Sequence, residues 1–302
     1  MLLPPICVAG PTAVGKSEIA LQVAERLGGE IISVDSMQVY RGLDIGTAKP
    51  SAADRARMPH HLIDICDLTE SFDAAQFARH AHRAVAEIQS RGQVAILSGG
   101  TGLYFKAFLE GLDEMPSADA GLRAKLEATP LEKLLEELRQ RDPVTYGKID
   151  KKNPRRVIRA VEVIRLTGKP FSEVRSQKSE VRSQTPEFFC LTRATADLRR
   201  RIDARVDEMF ARGLMDETRE LLKRGLQQNK TAMQAIGYRQ VVEHLRGERS
   251  LKETIELVKT RTRQFAKRQL TWFRAQKNLK WIELRPDELP EAIVTKLLQS
   301  VD

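Results

Sequence analysis

Cysteine, aromatic residues and long apolar runs are all scarce in this sequence of 302 residues. The three cysteines, Cys7, Cys66 and Cys190, are far apart and form no C-x-x-C pair, so neither a disulfide framework nor a structural zinc site is indicated. We expect all three to be buried as small apolar side chains. No apolar stretch approaches the roughly 20 residues that cross a bilayer, and no signal-peptide pattern precedes the first strand. These absences predict a cytoplasmic protein.

Positive charge is unevenly distributed along the chain. Residues 1–110 carry a net charge of −2, whereas residues 111–302 carry +11. Two stretches concentrate the excess, 151–182 and 259–280, and the second has eight basic residues and no acidic one. A single basic run is most often a solvated helix face. Two runs on an otherwise neutral-to-acidic protein favour a polyanionic partner, with nucleic acid as the leading candidate.

Alternating strands and helices are predicted for the first third of the chain. Apolar runs at "PPICVAG", "GGEIISVDS" and "GQVAILSGG" indicate buried strands, and "FDAAQFARHAHRAVAEIQSRG" has helical spacing. Buried strands joined by helices imply a parallel sheet with ligands at the strands' carboxyl ends. The remainder is predicted to be mostly helical. Turn-rich stretches suggest an α/β core of residues 1–113 and 188–302, with a helical, basic insertion at 114–187.

The stretch "GPTAVGKS", residues 10–17, matches the phosphate-binding pattern G-x-x-x-x-G-K-[ST] at every fixed position. In such a loop, successive backbone N–H groups, a lysine and the dipole of the following helix hold a phosphate group. The hydroxyl of Ser17 is the usual Mg²⁺ ligand, so Mg²⁺ is the predicted cofactor. The eight loop residues are Gly10, Pro11, Thr12, Ala13, Val14, Gly15, Lys16 and Ser17.

A second feature of nucleoside-triphosphate hydrolases is missing. They normally present an aspartate at the end of another strand, but "VAIL" runs into "SGGTG", which has no carboxylate. The well-placed carboxylate is Asp35, directly after the second strand. It is either a helix N-cap or a general base that takes a proton from an acceptor.

Three classes of protein could use this loop. A small-molecule kinase predicts a lid with paired arginines and no large basic surface, and a nucleotide-binding switch predicts a base-specificity motif such as N-K-x-D, which is absent. A transferase that moves a non-phosphoryl group from a diphosphate donor to nucleic acid predicts the basic surface. The charge distribution favours the third class.

Several long blocks then resemble a known family in order and spacing. "EIISVDSMQVYRGLDIGTAKP", "LSGGTGLYFKAFLEGL", "NPRRVIRAVEV", "AIGYRQ" and "AKRQLTWFR", together with the phosphate loop, resemble bacterial tRNA dimethylallyltransferases (IPP transferases). The resemblance implies a P-loop NTPase-like core and an inserted helical tRNA-binding domain. It also implies transfer of a dimethylallyl group from dimethylallyl diphosphate to N6 of the adenosine 3′-adjacent to the anticodon, in tRNAs reading codons that begin with U. A monomer is the implied state.

Roles for individual residues also follow from the resemblance. Asp35 matches the proposed base, Thr101 lies near the reacting amine, and an arginine in "RIDARVDEM" contacts the diphosphate. We place that arginine at Arg205, with Arg201 as the competing choice. The phosphate loop would then hold the leaving diphosphate.

A larger set is implied to contact the tRNA anticodon stem-loop. Tyr238, Trp272 and Phe273 are candidates to stack on bases, but aromatic residues at helical spacing are more often in the core, and for Phe273 we expect the core. The full set is Asp35, Ser36, Met37, Gln38, Thr101, Arg123, Arg155, Arg156, Val157, Ile158, Arg159, Gln234, Ala235, Ile236, Gly237, Tyr238, Arg239, Lys267, Arg268, Gln269, Leu270, Thr271, Trp272, Phe273 and Arg274.

Overall fold

The structure, a computed structural model, describes residues 3–111, 115–116, 119–174 and 186–300. Six strands are present: β1 (Ile6–Ala9), β2 (Glu30–Val34), β3 (His60–His61), β4 (Ala95–Gly99), β5 (Glu187–Thr192) and β6 (Lys280–Glu283). They form one parallel sheet in the order β3-β2-β4-β1-β5-β6. The predicted α/β class and its three N-terminal strands are confirmed.

Helices account for most of the rest of the described chain. In chain order they are α1 (Lys16–Leu27), α2 (Ala52–Arg57), α3 (Ala74–Ser90), α4 (Gly102–Glu110), α5 (Ala120–Glu127), α6 (Leu131–Arg141), α7 (Pro143–Lys148), α8 (Pro154–Thr167), α9 (Phe171–Val174), α10 (Thr195–Ala211), α11 (Leu214–Lys223), α12 (Tyr238–Leu245), α13 (Leu251–Arg274) and α14 (Pro290–Leu298). Two short 3₁₀ helices, Leu226–Gln228 and Ala232–Gln234, precede α12. None of the described helices is both long and apolar enough to cross a membrane.

The C-terminal half contributes two strands that the mostly helical prediction missed. β5 has the sequence EFFCLT, and its four central residues are buried beside β1. β6 is a short edge strand that pairs with β5 and is largely exposed. An apolar run as short as that of β5 does not distinguish a buried strand from a helix segment by periodicity. The prediction that this part of the chain is mostly helical is confirmed, but it missed these two strands.

The carboxyl ends of three central strands lie side by side. Gly99 at the end of β4 is in register with Ala9 of β1 and with Val34 of β2. The segments that follow these strands begin with Gly10, Gly100 and Asp35. Parallel pairing in this register therefore brings the phosphate loop, the β4–α4 turn and Asp35 to one edge of the sheet.

Buried apolar side chains hold this edge in place. One core cluster joins β1, α1 and α14 and includes Val8, Val23 and Val294, all fully buried. Burial of a side chain of this size stabilises the fold by about 1.5–3 kcal/mol. All three cysteines are free and buried, as predicted.

The chain divides into two compact units. The first is Met1–Phe108 with Ser183–Asp302, and the second is Leu109–Arg182. Within the second unit, α5, α6 and α8 enclose a separate apolar core. The predicted boundaries after residues 113 and 187 lie a few residues further along the chain, and the first of them falls outside the described ranges. These domain limits stay a prediction.

Candidate active site

The phosphate loop connects β1 to α1 and contains backbone that most residues rarely adopt. Gly10 and Gly15 have φ of 149° and 110°, and Ala13 has φ of 62°. A Cβ at Gly10 would lie 2.6 Å from the carbonyl oxygen of Leu191, so only glycine fits there. At the start of α1, Lys16 donates from Nζ to the carbonyl of Pro11 at 2.7 Å. The loop thus curls around its own lysine.

Side chains from the C-terminal half brace this loop from outside. Arg193 donates from Nε to the carbonyl of Val14 at 2.7 Å, and Arg201 donates from Nε to the carbonyl of Ala13 at 2.9 Å. Both bonds tie down loop carbonyls. Sequence reasoning missed Arg193, although it directly follows β5, because that strand was not predicted. A polar side chain at the carboxyl end of a parallel strand is the signal that could have identified it.

Gln269 of α13 joins the phosphate loop to the β4–α4 turn. Its Oε1 accepts the N–H of Thr12 at 2.9 Å, and its Nε2 donates to the carbonyl of Gly100 at 2.9 Å. The side chain is buried. Because each end of the amide makes a hydrogen bond within the protein, Gln269 holds the loop, and its expected contact with tRNA stays a prediction.

Asp35 lies in the turn after β2, where its carboxylate accepts hydrogen bonds from two backbone N–H groups. Its Oδ1 accepts the N–H groups of Met37 at 2.8 Å and Gln38 at 3.3 Å. The following residues form a turn and not a helix, so the N-cap alternative is wrong in detail, although the carboxylate does satisfy backbone donors. Within the described ranges, no group donates a hydrogen bond to Oδ2. One carboxylate oxygen therefore remains available for chemistry.

Thr101 lies beside this turn, directly after the β4 edge. Its Oγ1 accepts the N–H of Ser36 at 3.2 Å, while its own N–H donates to the carbonyl of Val34 at 3.2 Å. The hydroxyl hydrogen of Thr101 is not used in these bonds, so it can donate to a ligand.

A cavity of about 430 Å³ collects these groups. Its polar lining includes the phosphate loop, Asp35, Thr101 and Arg205, and its apolar lining comes largely from α10 and α13. The lining residues are Thr12, Lys16, Ser17, Ser33, Asp35, Ser36, Met37, Gln38, Gly46, Thr47, Ala48, Ser98, Gly99, Gly100, Thr101, Arg205, Val206, Met209, Gln234, Ala235, Ile236, Val258, Thr262, Phe265, Arg268 and Gln269.

Electrostatics in this cavity favour an anionic ligand. Burial, reinforced by the positive charge of Arg205, lowers the pKa of Lys16 to about 7, and the nearby Asp35 offsets part of that shift. Burial also lowers the pKa of Arg205, with Asp35 again opposing the shift. A bound anion would compensate both cations and restore the full charge of Lys16.

The structure places the two candidate arginines differently. Arg205 lines the cavity, whereas Arg201 is more exposed and its side chain donates to a backbone carbonyl of the phosphate loop. The geometry therefore supports Arg205 for direct contact with a ligand and Arg201 for support of the loop. Which of them touches the diphosphate stays a prediction.

Comparison with known proteins identifies the family. A family model described as IPP transferase matches residues 38–276. The chain is 46% identical over 280 residues to tRNA dimethylallyltransferase 1 of Citrifermentans bemidjiense, which covers 92% of this chain and 91% of the relative. It is 48% identical to tRNA dimethylallyltransferase of Halorhodospira halophila, over 91% of both chains. The chain belongs to the IPP transferase family.

Solved structures agree with this membership. The tRNA isopentenylpyrophosphate transferase of Bacillus halodurans has a TM-score of 0.72 and 39% identity, and the match covers 99% of this chain and 96% of that one. A eukaryotic dimethylallyltransferase, described as acting on tRNA, has a TM-score of 0.79 at 29% identity. That match covers 93% of this chain and 74% of the other.

The tRNA-contacting residues expected from the IPP transferase resemblance have very different exposures. On α13, Lys267, Arg268, Thr271 and Arg274 are exposed and Trp272 is half-buried. Phe273 is fully buried, as predicted. The exposed members of α13 form a basic face that remains a candidate for phosphate contacts.

Tyr238 requires a correction. It is fully buried, and its hydroxyl donates to Glu217 at 2.5 Å. The prediction that its ring stacks on a base is therefore wrong, because stacking needs an accessible ring face. Ala235 in the same run is also buried, whereas Gln234 and Arg239 are exposed.

Within the second unit, the expected contact residues on α8 are similarly divided. Arg155 and Arg156 are exposed, whereas Val157 is fully buried in that unit's core. Arg159 donates to Glu162 at 2.6 Å, and Arg123 donates to the same carboxylate oxygen at 2.5 Å. Two of the predicted contact arginines thus also neutralise a buried glutamate.

Proposed function

We propose that this protein transfers a dimethylallyl group from dimethylallyl diphosphate to N6 of the adenosine 3′-adjacent to the anticodon, in tRNAs reading codons that begin with U, and releases diphosphate. The printed names of its relatives and its family membership support this activity. The observation that carries the proposal is the shared cavity. The phosphate loop and Asp35, whose Oδ2 accepts no hydrogen bond from the part of the chain that the structure describes, line the same space.

In the proposed reaction, the adenine amino group attacks C1 of the donor. The N6–C1 bond forms as the C1–O bond to the diphosphate breaks, and the proton on N6 passes to Oδ2 of Asp35. The amino group is a weak nucleophile because its lone pair is delocalised into the ring, so proton removal during attack lowers the barrier. The hydroxyl of Thr101, one residue beyond the β4–α4 glycines, would orient that amine.

Negative charge develops on the departing diphosphate, which the phosphate loop would hold. The charged form of Lys16, the loop N–H groups and the guanidinium of Arg205 would stabilise the leaving group. Val206, Met209 and Phe265 line the same cavity and would shield the dimethylallyl group from water. Arg193 and Arg201 would act indirectly by fixing the loop carbonyls.

Mg²⁺ is part of this proposal. Ser17 lines the cavity beside Lys16, and its hydroxyl is the protein ligand that the loop sequence offers. In the described ranges no group of three or more His, Cys, Asp or Glu side chains is placed to hold a metal ion. That donor set fits Mg²⁺ held mainly by diphosphate and water oxygens, with one hydroxyl from the protein. When bound, the ion would neutralise charge on the leaving diphosphate.

The tRNA would be recognised at the anticodon stem-loop. The exposed cations of α13 suit the phosphate backbone, and the target base must leave its stack to reach a cavity of this kind. A tRNA substrate also supports a cytoplasmic location.

A transfer assay tests the proposal. Purified protein, Mg²⁺ and radiolabelled dimethylallyl diphosphate are incubated with unmodified tRNA carrying adenosine at the site, or with the same tRNA carrying guanosine there. We expect label only in the adenosine-bearing tRNA. A parallel reaction with γ-labelled ATP addresses the kinase alternative. Transfer of that phosphate, with no prenyl transfer, would contradict the proposal.

A further inference from the structure

Glu217 on α11 uses its carboxylate to hold backbone that lines the cavity. Its Oε2 accepts the N–H of Ile45 at 2.9 Å, and its Oε1 accepts the N–H of Ile45 at 3.0 Å and of Gly46 at 3.4 Å. It also accepts the hydroxyl of Tyr238 at 2.5 Å. In the described ranges, no Lys, Arg or His forms an ion pair with Glu217. Its carboxylate is thus engaged by two backbone amides and a phenol.

Tyr238 completes the same contact from α12. Its hydroxyl accepts the N–H of Gly46 at 3.0 Å while it donates to Glu217. Its ring packs so closely on Gly46 that a Cβ there would lie 2.5 Å from a ring carbon. The tyrosine is fully buried. Hydrogen bonds and ring contact therefore fix the peptide at residues 45–46.

A second set of bonds connects this segment to the turn that carries Asp35. Gln38 donates from Nε2 to the carbonyls of Thr47 at 3.2 Å and Ala48 at 3.3 Å. Its Oε1 accepts the hydroxyl of Ser33 at 2.8 Å, and its N–H donates to Oδ1 of Asp35. Gln38 is therefore a bridge between residues 47–48 and the carboxylate.

We propose that Glu217 and Tyr238 are positioning residues that set the carboxylate of Asp35 through residues 45–48 and Gln38. This inference rests on the proposed function, because it assigns them an effect on the transfer step. Glu217 is hydrogen-bonded to residues 45–46, and Gln38 is hydrogen-bonded to residues 47–48 and to Asp35. The covalent backbone of residues 45–48 and the side chain of Gln38 join these bonds into one connection from α11 to the base. Small errors in such placement reduce catalytic rates strongly.

Two conservative variants test the proposal in the full chain. Tyr238→Phe keeps the ring on Gly46 and removes only the hydroxyl, and Glu217→Gln removes one acceptor of the carboxylate. Glu220→Gln is the matched control, because Glu220 lies on the same helix, is exposed and pairs only with Lys223 among the described residues. We would measure the single-turnover rate at saturating substrates, the Kd for tRNA, the melting temperature and hydrogen exchange of the amides in residues 43–48.

Both test variants should lower the single-turnover rate about 10- to 100-fold, with the Kd for tRNA within about 2-fold of the parent. The amides of Ile45 and Gly46 should exchange faster, and the control variant should match the parent in every measurement. If Glu217→Gln does not fold, Tyr238→Phe decides alone.

Either of two results would overturn the inference. One is an unchanged single-turnover rate in Tyr238→Phe. The other is a weaker Kd for tRNA with an unchanged rate at saturation, which would make Tyr238 an RNA contact. Absence of transfer by the parent protein would instead reject the proposed function, and the exchange measurement would still report whether Glu217 and Tyr238 hold the segment.

Discussion

Replacement of Asp35 by asparagine separates the two tasks that the structure gives its carboxylate. Asparagine keeps an Oδ1 that can accept the N–H groups of Met37 and Gln38, so the turn after β2 should persist. It removes the oxygen that would take the proton from N6. General-base assistance contributes about 10²- to 10⁴-fold, which corresponds to about 3–5 kcal/mol of activation free energy. Asp35→Asn should therefore lose that factor in rate with little loss of stability.

Alanine at position 35 provides the comparison. Asp35→Ala removes the base and also the Oδ1 that accepts both turn N–H groups, so it should lose a similar factor in rate and about 1–3 kcal/mol of stability at two hydrogen bonds of ordinary strength. Asp67→Asn is a matched control, because the side chain of Asp67 is half exposed, pairs with Arg41 and does not line the cavity.

The assay is single-turnover transfer of labelled prenyl group to tRNA at saturating enzyme, with urea unfolding and tRNA binding measured on the same preparations. We expect Asp35→Asn to bind tRNA nearly as well as the parent. A rate for Asp35→Asn within about 10-fold of the parent would refute the general-base assignment. Loss of tRNA binding equal to the loss of rate would show that Asp35 is mainly an RNA contact.

Three further predictions follow from other parts of the structure. Because the pKa of Lys16 is lowered to about 7, binding of dimethylallyl diphosphate at pH 8 should take up close to one proton per site, whereas at pH 6 Lys16 is already charged and almost no proton should be taken up. Calorimetry in buffers of different ionisation enthalpy measures this uptake, and Lys16→Met should abolish it. Lys267→Glu and Arg274→Glu should each weaken tRNA binding and lower the slope of log Kd against log salt by about 1. Lys252→Glu, outside the predicted contact run, should do neither. Salt-independent binding of tRNA would contradict the prediction that α13 binds a polyanion. Burial alone would raise the pKa of Asp142, but hydrogen bonds from Thr145 and Ser172 outweigh burial and lower that pKa. The stability that the Asp142 carboxylate contributes is therefore present above about pH 4 and is lost as the pH falls through the lowered pKa. Asp142→Asn should cost about 1–3 kcal/mol in urea unfolding at pH 7, with a smaller difference from the parent in acid.

Several site residues could be predicted from local pattern, and others could not. The phosphate loop was found from its sequence motif, and Asp35 was found because it directly follows a buried strand. Arg193 also follows a strand, but the apolar run of β5 is only four residues long, so neither the strand nor the arginine after it was recognised. Glu217 gives no signal at all, since a glutamate on an amphipathic helix is normally a solvated charge.

Tyr238 shows the opposite error. Its place in a family motif suggested RNA contact, yet the folded chain buries its ring against Gly46 and uses its hydroxyl on Glu217. Gln269 was also expected to contact RNA; the structure shows it hydrogen-bonded to Thr12 and Gly100, and its contact with RNA stays a prediction. Position in a motif does not say which face of a helix a residue occupies.

By itself, the sequence determined the α/β class, the phosphate loop, the candidate base and the basic character of α13. These features depend on residues that are adjacent in the sequence and on the alternation of strand and helix patterns, which are local properties of the chain. Only the tertiary structure decided which arginine faces the cavity, which carbonyls of the loop are held and how Asp35 is linked to α11. Those contacts join residues that are distant in the sequence, such as Ile45 with Glu217 and Thr12 with Gln269, and folding alone brings them within hydrogen-bond distance.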